Sequence, residues 1–114
     1  MGYKVLCKTR KMTYMIPNSF NILGHTVNVV FDDKSMDAKA ALGYCCPTLN
    51  TITLTSKSGI DTLPQDVIEH TYWHEVVHFI LKTMGEKDLY ENEKFVDLFA
   101  GMLHQVLNTS IYNN

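Results

Sequence analysis

The chain is 114 residues long, 46% hydrophobic, and carries a formal net charge of −2, which fits one domain over residues 1–114 with its own core and is too short for two. The slight acidic excess argues against a nucleic-acid surface, which needs basic groups to neutralise phosphates. No apolar run approaches the ~18 residues of a membrane span, and no apolar segment of signal-peptide type follows Met1. The three cysteines, Cys7 and the adjacent pair Cys45-Cys46, have neither metal-knuckle spacing nor the even count of a disulfide framework, so a reducing, cytoplasmic setting is expected.

In chain order, residues 3–9 place Tyr3, Val5 and Cys7 on one side and Lys4 and Lys8 on the other, a period of two that predicts a strand. Ile16-Pro17-Asn18-Ser19 ends it. Residues 20–22 and 26–31, joined across Leu23-Gly24-His25, read as a hairpin whose second strand alternates Val27, Val29 and Phe31 with Thr26, Asn28 and Val30. Residues 36–42 are Ala-rich but short and are assigned to a loop. A second hairpin is expected from residues 43–46 and 51–56 around the turn Pro47-Thr48-Leu49-Asn50, with Ile52 and Leu54 inward. Ser56-Lys57-Ser58-Gly59 is then a loop. A long helix starts near Thr62 or Leu63, accommodates Pro64 in its first turn, and stops at Gly85. A second helix covers residues 92–110 and carries Phe95, Leu98, Phe99, Met102, Leu103, Val106 and Leu107 on a broad apolar face. Strands followed by two helices predict an α+β domain, a small antiparallel or mixed sheet backed by a helix pair.

The first helix contains His74-Glu75-Val76-Val77-His78, the pattern HExxH. An α-helix turns ~100° and rises ~1.5 Å per residue, so both histidines lie on one face, one turn apart, and can share an ion. Two neutral imidazoles hold Zn²⁺, and the adjacent Glu75 can take a proton from a water whose pKa the ion lowers to ~7. On a helical wheel Thr71, His74, Glu75, His78 and Lys82 form one polar stripe. Val77, Leu81, Trp73, Ile80 and Met84 cover one flank, and Ile68, Tyr72, Val76 and Phe79 the other. Such a helix presents its stripe as the floor of a cleft.

A catalytic zinc site needs a third protein ligand. Glu93, at the start of the second helix, is the candidate, and Asp97 one turn later can accept a hydrogen bond from the non-ligating nitrogen of a zinc histidine. The competing reading of both acids is a solvated helix start, where negative charge is favoured. His70 lies two turns before His78, ~12 Å along the axis, too far to share its ion, and is read as a packing or rim residue. His104, about three turns beyond Glu93, is not a ligand to the same metal. The donor for an oxyanion stays open among Tyr44, Tyr72, Tyr90, His70 and Tyr112.

His74-Glu75-Val76-Val77-His78 followed by Glu93-Lys94-Phe95-Val96-Asp97 resembles the gluzincin arrangement. The layout from Ile16-Pro17 to Leu107 is similar to the small phage-encoded members of the ImmA/IrrE-like metallopeptidase group. That resemblance implies a zincin-type fold and one zinc ion, with His74, His78 and Glu93 as ligands and Glu75 as general base. It also implies hydrolysis of a protein or peptide substrate in the cytoplasm of a bacterial or phage-infected cell, and binding of that peptide by strand addition along residues 43–46. The chain departs from the group in its short linker between the helices and in having no recognisable DNA-binding or sensor domain. Two other readings compete. One is an amidase resembling the peptide deformylases, with Cys45 or Cys46 as third ligand, although Gly-Tyr-Cys-Cys-Pro does not match their glycine-rich and Glu-Gly-Cys signatures. The other is a non-catalytic zinc-binding interaction protein, whose site would be closed rather than open at one position.

Overall fold

A computed structural model describes residues 16–39 and 41–113; the strand expected over residues 3–9, with Cys7, lies outside them. Alternating apolar residues build the first hairpin, β1 (Ser19–Ile22) and β2 (His25–Phe31), paired antiparallel from Ser19 opposite Asn28 to Ile22 opposite His25. Its turn is tighter than the sequence suggested. Leu23 and Gly24 close it alone, both at positive φ (44° and 81°), the two-residue geometry whose twist suits a hairpin, so His25 joins the strand.

The expected loop over residues 36–42 is corrected to a helix that begins earlier, α1 (Asp33–Lys39). Asp32 Oδ1 accepts the Ser35 N–H at 3.0 Å and caps it. Asp33 ties the helix down by accepting the Ser56 N–H at 2.7 Å, the Thr55 hydroxyl at 2.8 Å and the Ser56 hydroxyl at 2.9 Å. These bonds, the Ser56 amide foremost, hold the Asp33 carboxyl below its ordinary pKa.

The second hairpin forms, with a return strand that ends at Leu54 and not at residue 56: β3 (Gly43–Cys46), a 3₁₀ turn over Pro47–Leu49, and β4 (Thr51–Leu54), with Ile52 and Leu54 fully buried. β4 is antiparallel to β3 and parallel to β2, so the order is β1-β2-β4-β3 and the sheet is mixed. Among the described residues β3 is therefore an edge strand. The loop expected at residues 56–59 is instead part of a small antiparallel ribbon of β5 (Lys57–Ser58) and β6 (Asp61–Thr62).

The long helix α2 (Gln65–Met84) starts after Pro64, which caps it instead of entering its first turn. Gly85, at φ 78°, ends it by donating to the Leu81 and Lys82 carbonyls. A one-turn helix, α3 (Lys87–Tyr90), fills the linker, and α4 (Glu93–Thr109) follows, its Phe95 N–H bonded to the Asn92 side chain at 3.0 Å. α2 lies between two layers. Tyr72, Val76 and Phe79 pack on Val27, Val29, Ile52 and Leu54 of the sheet, while Val77 and Leu81 pack on Val96 and Ala100 of α4. No helix among the described residues is long and apolar enough to cross a membrane.

α4 does not bury the face its hydrophobicity favours. Val96 and Ala100 are fully buried, whereas Leu98, Phe99, Met102 and Val106 are 55%, 46%, 60% and 58% exposed. The helix is rotated so that Glu93 and Asp97, in its first two turns, face the histidines of α2.

β3 crosses α2 at Gly43 with no room for a side chain. A Cβ there would lie 2.6 Å from Thr71 Cγ2 and 3.2 Å from Glu75 Cγ and Oε2. Thr71 cannot swing aside cheaply, because its β-branched side chain is restricted in a helix and its hydroxyl donates to the Val67 carbonyl at 2.8 Å. Chemical denaturation should show Gly43→Ala lowering stability by about 1–3 kcal/mol, partly recovered when Thr71→Ala is added. An unchanged midpoint in the single variant would show that β3 can recede.

Candidate metal centre

The helical spacing of HExxH sets the His74 and His78 rings 5.0 Å apart. Both turn Nε2 toward Glu93, whose Oε1 lies 3.0 Å from His74 and whose Oε2 lies 3.1 Å from His78. One ligand atom from each of the three residues lies within 4.8 Å of the others. Two imidazoles and a carboxylate are a donor set suited to a divalent cation of borderline softness. The structure thus gathers the three predicted ligands, from two helices, at ligand spacing.

Asp97 takes the place expected of it, with Oδ1 3.2 Å from His74 Nδ1. Both His74 nitrogens thus meet a carboxylate oxygen, which can only accept, because Nε2 lies 3.0 Å from Glu93 Oε1; a cation taking the Nε2 lone pair would place the proton of a neutral ring on Nδ1, toward Asp97. His78 is less fully supported. Its Nδ1 is buried without a hydrogen bond of ordinary geometry, although the Tyr90 backbone beside it favours the protonated ring. Burial has the larger effect and lowers the His78 pKa, against an opposing pull from Glu93. A depressed pKa keeps the imidazole neutral, as ligation requires.

Glu75 is buried beside these groups. Burial pushes its carboxyl up to about 7, with the His74 imidazole opposing the rise and the Glu93 carboxylate adding to it. Two cavities meet at this point. One of about 510 Å³ is lined by Tyr44, Cys45, Tyr90 and Glu91 together with the triad. The other, of about 340 Å³, is lined by Leu42, Val67, His70, Thr71 and Asp97. Both include Gly43, His74 and Glu75, so the two cavities form a groove running beside the β3 edge with Glu75 at its middle.

The remaining candidates separate clearly. Tyr72 is buried against Phe20 and Trp73, and Tyr112 lies on the exposed tail, so the groove holds Tyr44, Tyr90 and His70. Cys45 faces the larger cavity, but the group at ligand spacing among the described residues contains no cysteine. Burial pushes the Cys45 thiol up to about 12, with Glu75 and Cys46 adding to the rise. His104 pairs with the buried Glu69 at 2.9 Å and is not part of the triad.

Sequence reading passed over Gly43, whose missing Cβ admits Glu75, and the placement of Tyr90, whose ring meets His78 edge-on at 5.0 Å. Tyr90 was one of five open candidates, and its place three residues before Glu93 is the signal that could have singled it out. Nothing local marks Gly43, because its neighbours Thr71 and Glu75 are distant in the chain.

Because the Glu75 pKa is raised above its ordinary 4.5 to about 7, its contribution to the stability of the metal-free protein is fully present below pH 4.5. It is lost as pH rises through about 7. The neutral isostere should escape that loss. Metal-free Glu75→Gln is expected to be more stable than the parent at pH 8 by on the order of 2 kcal/mol, with the gap closing toward pH 4.5 in paired thermal melts. A gap independent of pH would mean that Glu75 is not desolvated.

No protein-family model matches the chain, and no curated protein or solved structure does.

Proposed function

We propose that the protein is a zinc-dependent peptidase of zincin-like, gluzincin type that hydrolyses a peptide bond. The observation that carries this reading is the convergence of His74, His78 and Glu93 beside a buried carboxylate, Glu75, in an open groove. Three protein ligands among the described residues suit a zinc site that keeps one position for water or substrate, whereas a structural site uses four. Zinc held there supplies a Lewis acid that polarises a carbonyl and acidifies water.

The work of the chain itself falls to a few residues. Glu75 takes a proton from water in the groove and delivers it to the leaving amine. A cation beside Glu75 favours its carboxylate form, which brings the buried group into its basic state at neutral pH. Asp97 fixes the His74 tautomer. Tyr90, lining the larger cavity beside His78, is the donor we assign to the developing oxyanion. The β3 edge supplies backbone groups that can pair with an extended peptide, which would run through both cavities past Glu75. Free Cys45 and Cys46 are compatible with a reducing cytoplasm.

Elemental analysis of the purified protein should find near-stoichiometric zinc that disappears in Glu93→Ala and persists in the Cys45→Ser/Cys46→Ser pair. Glu75→Gln should keep zinc and fold while hydrolysis of a quenched-fluorescence peptide library falls by at least about 100-fold. Failure of the parent to take up zinc supplied at neutral pH, or parental activity in Glu75→Gln, refutes the proposal.

A further inference from the structure

A second polar cluster lies between α2 and α4, on the side of the triad away from Tyr90. Glu69 is 3% exposed. Its Oε1 lies 2.9 Å from His104 Nε2, and its Oε2 accepts from Gln65 at 3.3 Å. The Asn108 side-chain amide approaches the same pair, 2.7 Å from His104 Nε2 and 3.4 Å from Glu69 Oε1. The His104 ring stacks on His70, with centroids 6.3 Å apart and planes inclined by 21°. His70 in turn directs Nε2 at Asp97, hydrogen-bonded to its backbone carbonyl at 3.4 Å and within ion-pair distance, 3.4 Å, of Oδ1. The Oδ1 it meets is the atom that lies 3.2 Å from His74 Nδ1.

One carboxylate oxygen is thus shared by two imidazoles on successive turns of α2. Asp97 is largely exposed, 59% for its side chain, and a solvated carboxylate held by one partner keeps several rotamers. The His70 ring, hydrogen-bonded to the Asp97 backbone carbonyl and with the same nitrogen 3.4 Å from Oδ1, stands beside the carboxylate and favours the rotamer that meets His74. On the opposing helix Gly101 lies beside the same ring, where a Cβ would sit 3.5 Å from His70 Nε2, at ordinary van der Waals contact.

We infer that His70 is a positioning residue for His74, acting through the Asp97 carboxylate they share, with Glu69 and His104 holding His70 from behind. The inference rests on the metal reading of the triad. Removing the direct partner of a metal-bound histidine typically lowers affinity by about 10–100-fold. His70 acts one step further out, through contacts at the long end of hydrogen-bond range, so about 3–10-fold is expected from its loss.

The test is zinc affinity, measured at pH 7.5 by competition with a chromophoric chelator. His70→Phe keeps the ring stacked on His104 and deletes the donor, while His70→Gln returns an N–H near the position of Nε2. The Phe variant should bind zinc about 3–10-fold more weakly, and the Gln variant should recover most of that loss. On an Asp97→Ala background, His70→Phe should change nothing further. In parallel, the His74 Nδ1 proton should exchange faster with water in His70→Phe by NMR. Should His70→Phe not fold, His70→Ala carries the same expectation. Parental zinc affinity in the His70 variant, or an equal loss with and without Asp97, overturns the inference. A parent that binds no zinc overturns the metal reading beneath it, a result distinct from either.

Discussion

Glu93 extends one oxygen to His74 and the other to His78, at 3.0 and 3.1 Å, and this double contact goes with the way α4 lies on α2. With the first turn held there, the only residues of α4 that are fully buried are Val96 and Ala100. Their small size lets the two helices come close. The larger apolar residues Leu98, Phe99, Met102 and Val106 are turned outward. Full burial of a side chain of this kind is worth about 1.5–3 kcal/mol, so among the described residues this orientation, which turns the acids toward α2, leaves several kcal/mol of burial unused. Contacts of an exposed carboxylate are worth about 1 kcal/mol or less, so the orientation rests mainly on Val96 and Ala100 packed against Val77 and Leu81.

α2 can tolerate this because it is packed on both flanks. The sheet takes Tyr72, Val76 and Phe79, α4 takes Val77 and Leu81, and the polar stripe between them lies in the groove. Desolvation follows from the same packing, because β3 crosses so near at Gly43 that a Cβ would touch the Glu75 side chain. The raised Glu75 pKa and the depressed His78 pKa share this principal cause. In one case burial favours the protonated acid and in the other the unprotonated base, so both groups lean toward neutrality in the absence of a cation.

How far the sequence could be read depended on whether the deciding contacts were local. HExxH was legible because a helix makes neighbours of residues four apart, and Glu93 and Asp97 were legible because they share the next long helix. Both hairpins could be read from alternation and the end of α2 from Gly85, whereas Pro64 and Asn92, read as the first turns of α2 and α4, stand just before them. The parallel pairing of β2 with β4 had no local mark, since hairpin logic pairs only consecutive strands. α1 was missed because its stability comes from Asp33 reaching Thr55 and Ser56 across the fold. The face of α4 was misjudged for the reason given above, since hydrophobicity alone assigns the inner face to its largest apolar residues. His70 was read as a rim residue because its distance from His78 was considered and its approach to Asp97, on the other helix, could not be.

The two halves of the site differ in how firmly they are held. The His74 and His78 side chains are 20% and 10% exposed, on a helix packed from both sides, while the Glu93 side chain is 68% exposed on the first turn of α4. Helix ends are the parts that open at least cost, and here the end carries the third ligand. Under the proposed function, a cation bound by both halves would therefore do more than complete a catalytic site. It would fasten the first turn of α4 to α2, because its affinity for the assembled triad is available only when that turn is docked. Asp97, with the His70 contact behind it, biases the same turn toward the docked position beforehand, which leaves less ordering to be done when the cation arrives.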